Sequence, residues 1–102
     1  MANMREKVIH IADHYGYKKQ TRQLGEEMAE LTIAISKYER AKEDNTPYDF
    51  DALKKDIAEE IADVEVVLEQ LKYLLECDWE VFKIKLTKVD RQIARIKDEY
   101  TM

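Results

Sequence analysis

Three residues in this chain are able to break a helix, and that scarcity does most to limit what it can fold into. Gly16, Gly25 and Pro47 are its only glycines and proline, so the backbone has few places at which to turn. Between them aliphatic residues recur at three- and four-residue steps, the period of an amphipathic helix. The expected fold class is all-α, with four helices. The first covers about Asn3 to His14, with Val8, Ile9 and Ala12 as its apolar residues and Gly16 as its stop. The second covers about Tyr17 to Glu43 along the seam Leu24, Met28, Leu31, Ile35 and Tyr38. The run Asp44-Asn45-Thr46-Pro47 is the strong breaker, and either Asp49 or Asp51 can cap the third helix. That helix runs to about Glu76 on Ile57, Ile61, Val64, Leu68, Leu71 and Leu75. The fourth starts near Asp78, a candidate cap, and carries Phe82, Leu86, Val89, Ile93, Ile96 and Tyr100.

Seams stepped by four and three are those of coiled coils, so residues 1–102 are expected to form one domain, an antiparallel four-helix bundle. Leu68, Leu71 and Leu75 belong in its core. The third helix also bears Val66, Val67 and Leu74 off the main seam. A helix that is apolar on more than one side needs more neighbours than a chain this short supplies. The expectation is a symmetric homo-oligomer, a dimer or a tetramer.

Charge excludes some partners. The chain has 22 acids against 17 bases, a formal net charge of −5, which argues against general nucleic-acid binding. No apolar run is long enough to span a bilayer, and Met1 to Lys7 lacks the apolar stretch of a signal peptide. Cys77 is the single cysteine and cannot pair within the chain, which suits a reducing compartment. A cytoplasmic protein without a membrane partner is expected.

The chemistry resides in an internal repeat. Leu24-Gly-Glu-Glu-Met-Ala-Glu-Leu-Thr-Ile-Ala-Ile35 aligns without a gap on Ile57-Ala-Glu-Glu-Ile-Ala-Asp-Val-Glu-Val-Val-Leu68. Any two amphipathic helices match at the seam. The more telling coincidence is three acids at the same offsets: Glu26 with Glu59, Glu27 with Glu60, and Glu30 with Asp63. At about 100° per residue, Glu27 and Glu30 lie roughly 60° and 120° to one side of the seam, and Glu60 and Asp63 take the same places. If the two helices pack antiparallel, a local two-fold brings the pairs together. Such a cluster needs protons or cations, and hard oxygen ligands favour Mg²⁺ or Mn²⁺. The alternative is a solvated acidic face. Those faces are often balanced by Lys or Arg four residues on, whereas here Glu26 is followed by Glu30 and Glu59 by Asp63.

Glu27-x-x-Glu30 followed by Glu60-x-x-Asp63, each preceded by another glutamate, resembles the signature of the MazG-like, all-α nucleoside triphosphate pyrophosphohydrolases. The likeness runs from about His10 to Arg95 and includes His14-Tyr-Gly-Tyr-Lys-Lys-Gln20. It departs in spacing, because the stretch from Glu30 to Glu60, with Asp44 to Phe50 inside it, is long for a compact member. The resemblance implies hydrolysis of a nucleoside triphosphate to the monophosphate and pyrophosphate. It implies Mg²⁺, with Mn²⁺ as the substitute, held by Glu27, Glu30, Glu60 and Asp63. Glu26, Glu27 and Glu59 are the implied catalytic acids, with Glu26 or Glu59 orienting the attacking water.

Gln20 matches a polar position ahead of the first motif in that family and is a candidate for substrate contact. Lys88, Arg91 and Arg95 form a basic stripe opposite the apolar seam of the fourth helix. Either they reach a triphosphate, from their own or a neighbouring subunit, or they are a solvated face. His10 and His14 stand one turn apart without a Glu-x-x-His partner, which argues against a di-iron site. Trp79 and the six tyrosines are expected to serve packing. The competing class is a non-enzymatic helical adaptor, which has no reason to repeat three acids beside its core.

Overall fold

The computed structural model describes residues 2–44 and 47–101. Four helices follow in order: α1 Met4–Tyr15, α2 Tyr17–Glu43, α3 Phe50–Leu74 and α4 Asp78–Thr101. The described residues contain no strand, so the fold class is all-α. Of the breaker Asp44 to Pro47, Asn45 and Thr46 lie outside the described residues.

The ends are set locally. Asn3 caps α1, its side-chain oxygen accepting from the Glu6 N–H at 2.8 Å. Asp49, not Asp51, caps α3 by accepting from the Ala52 N–H at 3.1 Å. Gly16 separates α1 from α2 at φ +83°, a conformation that residues with a Cβ rarely adopt. Its N–H closes α1 on the Ala12 carbonyl, and its own carbonyl accepts from the Gln20 N–H to open α2. The third helix ends at Leu74, two residues before the expected Glu76. Glu76 N–H donates to the Tyr73 carbonyl and Cys77 N–H to Lys72, with Glu76 itself at φ +54°. This is a Schellman stop with glutamate in the position that usually holds glycine, which is why residue type gave no warning of it. Asp78 begins α4 inside the helix, and its carboxylate pairs with Arg5 at 2.8 Å.

α2 and α3 form the main pair. Gln20 meets Gln70 at one end, and the Tyr38 ring stands edge-on to Phe50 at the other, so the two run antiparallel. α1 lies mainly on α3, with Val8 and Ala12 buried. Tyr73 in α3 donates its hydroxyl to Asp13 in α1.

The fourth helix does not join this group. It touches α3 near its start, and no contact joins it to α2 among the described residues. Every described residue from 82 onward is exposed. The radius of gyration is 17.9 Å, against about 13 Å for a compact chain of this length. One expectation fails as a result. Leu71 is buried, but Leu68 and Leu75 are 41% and 55% exposed. Leu75 is the C-cap of α3, beyond its last residue, and Leu68 lines an open groove shared with Val81 and Lys85 of α4. Val67, off the main seam, is buried instead.

A candidate carboxylate site between the two repeats

The antiparallel register carries the two acidic repeats past each other at mid-helix. Glu27 and Glu30 from α2 and Glu60 from α3 each place a carboxylate oxygen within 4.8 Å of the others. Glu27 and Glu60 are half-buried, and Glu30 is exposed. Helix geometry explains the difference. Glu27 and Glu60 are the matching members of the repeat that lie nearer the seam, so the facing helix covers them. One oxygen each of Glu27 and Glu60, Oε2 in both, is shut off from solvent and accepts no hydrogen bond. The other oxygen of Glu27 accepts from Gln23 Nε2 at 2.7 Å, which fixes the carboxylate from one turn before it.

The electrostatics follow from this crowding. The Glu60 carboxyl is raised above its ordinary value of 4.5, first by burial and then by the charges of Glu30, Asp63 and Glu27. The closeness of the Glu30 carboxyl adds to the shift. Asp63 acts on Glu60 through its charge but is outside the group of three whose oxygens converge. It is exposed.

A cavity of about 240 Å³ opens beside the cluster, lined in part by Glu30, Glu59, Glu60, Asp56 and Lys37. Glu59 therefore shares a cavity with two of the converging acids. Glu26 does not; it lines a separate cavity with Lys18, Lys19, Arg22 and Gln23. Gln20 is 5% exposed and gives its amide to Gln70, itself 2% exposed, so in this chain it is an interhelical residue. Lys88, Arg91 and Arg95 are exposed on α4, and that helix does not touch α2. His10 and His14 are exposed too and contribute nothing to the carboxylate group.

Sequence reasoning missed two residues. Gln23 was detectable as the residue one turn before Glu27. Lys37 lies two turns beyond Glu30 on the same face, a spacing that would have placed a cation near the cluster. The chemistry of the donor set is uniform: carboxylate oxygens alone, two of them buried without a donor. A hard divalent cation fits such a set, and so does a shared proton. Comparisons with protein-family models, with curated protein sequences and with solved structures give no match.

Proposed function

We infer that the protein is a Mg²⁺-dependent nucleoside triphosphate pyrophosphohydrolase, a nucleotide-pool enzyme of the cytoplasm that works as a homo-oligomer. One observation carries the reading: acids from both repeats converge across the α2/α3 seam, and Glu27 and Glu60 each hold a buried oxygen with no donor. A merely solvated face has no use for either feature. The resemblance of the two motifs to the MazG-like enzymes supplies the reaction class.

Glu27, Glu30 and Glu60 would hold the ion, with Asp63 completing the set. Bound there, Mg²⁺ or Mn²⁺ neutralises charge on the phosphate oxygens and makes a nearby water more acidic. The residues of the chain supply position. Gln23 orients Glu27. Glu59, at the cavity that Glu30 and Glu60 line, orients the attacking water and takes its proton. The water oxygen bonds to the α-phosphorus, the α–β bridging bond breaks, and pyrophosphate leaves. Lys37 lines the same cavity and would meet the phosphates there, and Lys88, Arg91 and Arg95 would reach them from another copy.

The test is a panel of ribo- and deoxyribonucleoside triphosphates with Mg²⁺, read by pyrophosphate and monophosphate together. Equal amounts of the two products are expected. Release of inorganic phosphate instead, or no release with either Mg²⁺ or Mn²⁺ from a folded sample, overturns the reading. The exposed apolar face of α4 favours the alternative of a helical adaptor. That alternative predicts no turnover and no thermal response to either ion.

A further inference from the structure

Two cavities flank the converging carboxylates along α2. From Glu30 to Lys37, α2 lines the cavity that holds Glu59. On the other side of Glu27, residues of α2 from Lys18 to Glu26 line a second cavity of about 470 Å³, together with Tyr15. Gln23 belongs to this second cavity and donates to Glu27 at 2.7 Å. A single side chain therefore joins it to the carboxylate group.

The repeat shows how the two cavities differ. Gln23 and Glu26 of the second correspond to Asp56 and Glu59 of the first, at the same offset. At that offset Lys18, Lys19 and Arg22 correspond to Asp51, Ala52 and Lys55. The second cavity has three cations and one acid, Glu26. The first has one cation, Lys37, and four acids. Lys19 leans over the Tyr15 ring, its Nζ 4.5 Å from the centroid. Among the described residues none of the three cations is in an ion pair. Like charges gathered without counter-charges repel one another, and a polyanion relieves them. Phosphate oxygens meet such side chains in charge-assisted hydrogen bonds.

The direction of the hydrolysis proposed above uses this difference. In phosphoryl transfer the attacking and leaving oxygens lie roughly in line through phosphorus. Water oriented by Glu59 enters from the first cavity, so the α–β bridging oxygen departs on the side away from it. The second cavity lies that way along α2, with Arg22 five residues before Glu27, or about 7.5 Å of helix rise. We propose that this cavity is a diphosphate subsite, in which Lys18, Lys19 and Arg22 hold the β- and γ-phosphates of the substrate and then the pyrophosphate released. The two acidic motifs are nearly symmetric, and these cations outside them decide which way round the triphosphate lies. The inference rests on the pyrophosphohydrolase reading and adds an orientation to it.

Calorimetric titration with pyrophosphate in the presence of Mg²⁺ tests it on the full chain. Lys18→Gln with Arg22→Gln should weaken binding at least about tenfold, the usual order for losing a hydrogen bond to a charged group. Helical circular dichroism should not change, since both side chains are exposed. Lys54→Gln with Lys55→Gln alters net charge equally outside both cavities and should leave the affinity within about twofold. In turnover, the Lys18/Arg22 variant should raise the KM for a triphosphate and the inhibition constant of pyrophosphate together. A wild type that hydrolyses triphosphate while that variant keeps its pyrophosphate affinity overturns the subsite and leaves the reaction standing. Equal losses in the two variants overturn it as well, because overall charge then accounts for binding. Failure of pyrophosphate to bind a wild type whose melting temperature responds to Mg²⁺ overturns the subsite alone. Failure of both responses overturns the proposed function with it.

Discussion

Gln20 and Gln70, fifty residues apart in sequence, join side chain to side chain in the seam between α2 and α3, where both are buried. A buried amide is tolerated because its partner satisfies it, and removing one partner exposes the penalty of the other. Gln70→Leu should therefore destabilise the fold by about 1–3 kcal/mol, and Gln20→Leu by a similar amount. The double variant should recover most of the loss. A double-mutant cycle by urea unfolding checks this. Additive losses would mean that the two amides do not depend on each other.

The raised Glu60 carboxyl makes stability depend on pH in a definite direction. Its folded value lies above the ordinary 4.5, so near that pH the folded state binds more protons than the unfolded one. Stability then falls as pH rises from 4.5 through the folded value, and stays reduced above it. Glu60→Gln removes this titration. The variant should have a flatter stability profile between mild acid and neutrality, and should be more stable than wild type at pH 7 without metal. Denaturant unfolding across that range is the measurement. A variant with the wild-type slope would place the titration elsewhere.

Metal linkage should follow the geometry and not the motif alone. Glu27→Gln and Glu30→Gln each remove one of three converging carboxylates and should abolish both the Mg²⁺-induced rise in melting temperature and hydrolysis. Asp63→Asn removes a group outside that set, so it should weaken the Mg²⁺ response without abolishing it. Thermal melts with and without Mg²⁺ rank the variants. If all three behaved like wild type, the carboxylates would be a solvated face and the proposed function would fall with them.

Glu59 and Glu26 occupy equivalent places in the repeat but line different cavities. Glu59→Gln should lower kcat by about 10²–10⁴-fold, the usual contribution of a general base. Glu26→Gln should leave kcat within a few-fold of wild type. Steady-state kinetics on one triphosphate decides between them, and the reverse order would assign the water to the other side of the α2/α3 pair.

Glu76 stands at φ +54° in the stop between α3 and α4. Glycine adopts that conformation without a Cβ penalty, so Glu76→Gly should stabilise the protein by about 0.5–1 kcal/mol despite the added freedom of the unfolded chain. A higher denaturation midpoint with an unchanged slope is expected. A lower midpoint would show that the Glu76 side chain contributes more than its backbone strain costs.

By itself the sequence determined the helices. Their hydrogen bonds lie within four residues, their ends are written in Asn3, Gly16 and Asp49, and the offsets of Glu26, Glu27 and Glu30 against Glu59, Glu60 and Asp63 can be read along the chain. The apolar residues of α3 off its main seam, Val66, Val67 and Leu74, can be read in the same way. The stop at Glu76 was hidden, because a glutamate in a left-handed position carries no compositional mark. Tertiary structure decided what depends on two helices at once. Sequence period fixes which face of a helix is apolar but not how far the facing helix is slid along it, and that register brought Glu27, Glu30 and Glu60 together while leaving Asp63 aside. The antiparallel direction, by contrast, was expected from the stepped seams, and α2 and α3 have it. Whether Leu68 and Leu75 are buried depends on where α4 goes after Cys77, and that path is set by packing against neighbours that the local pattern does not encode.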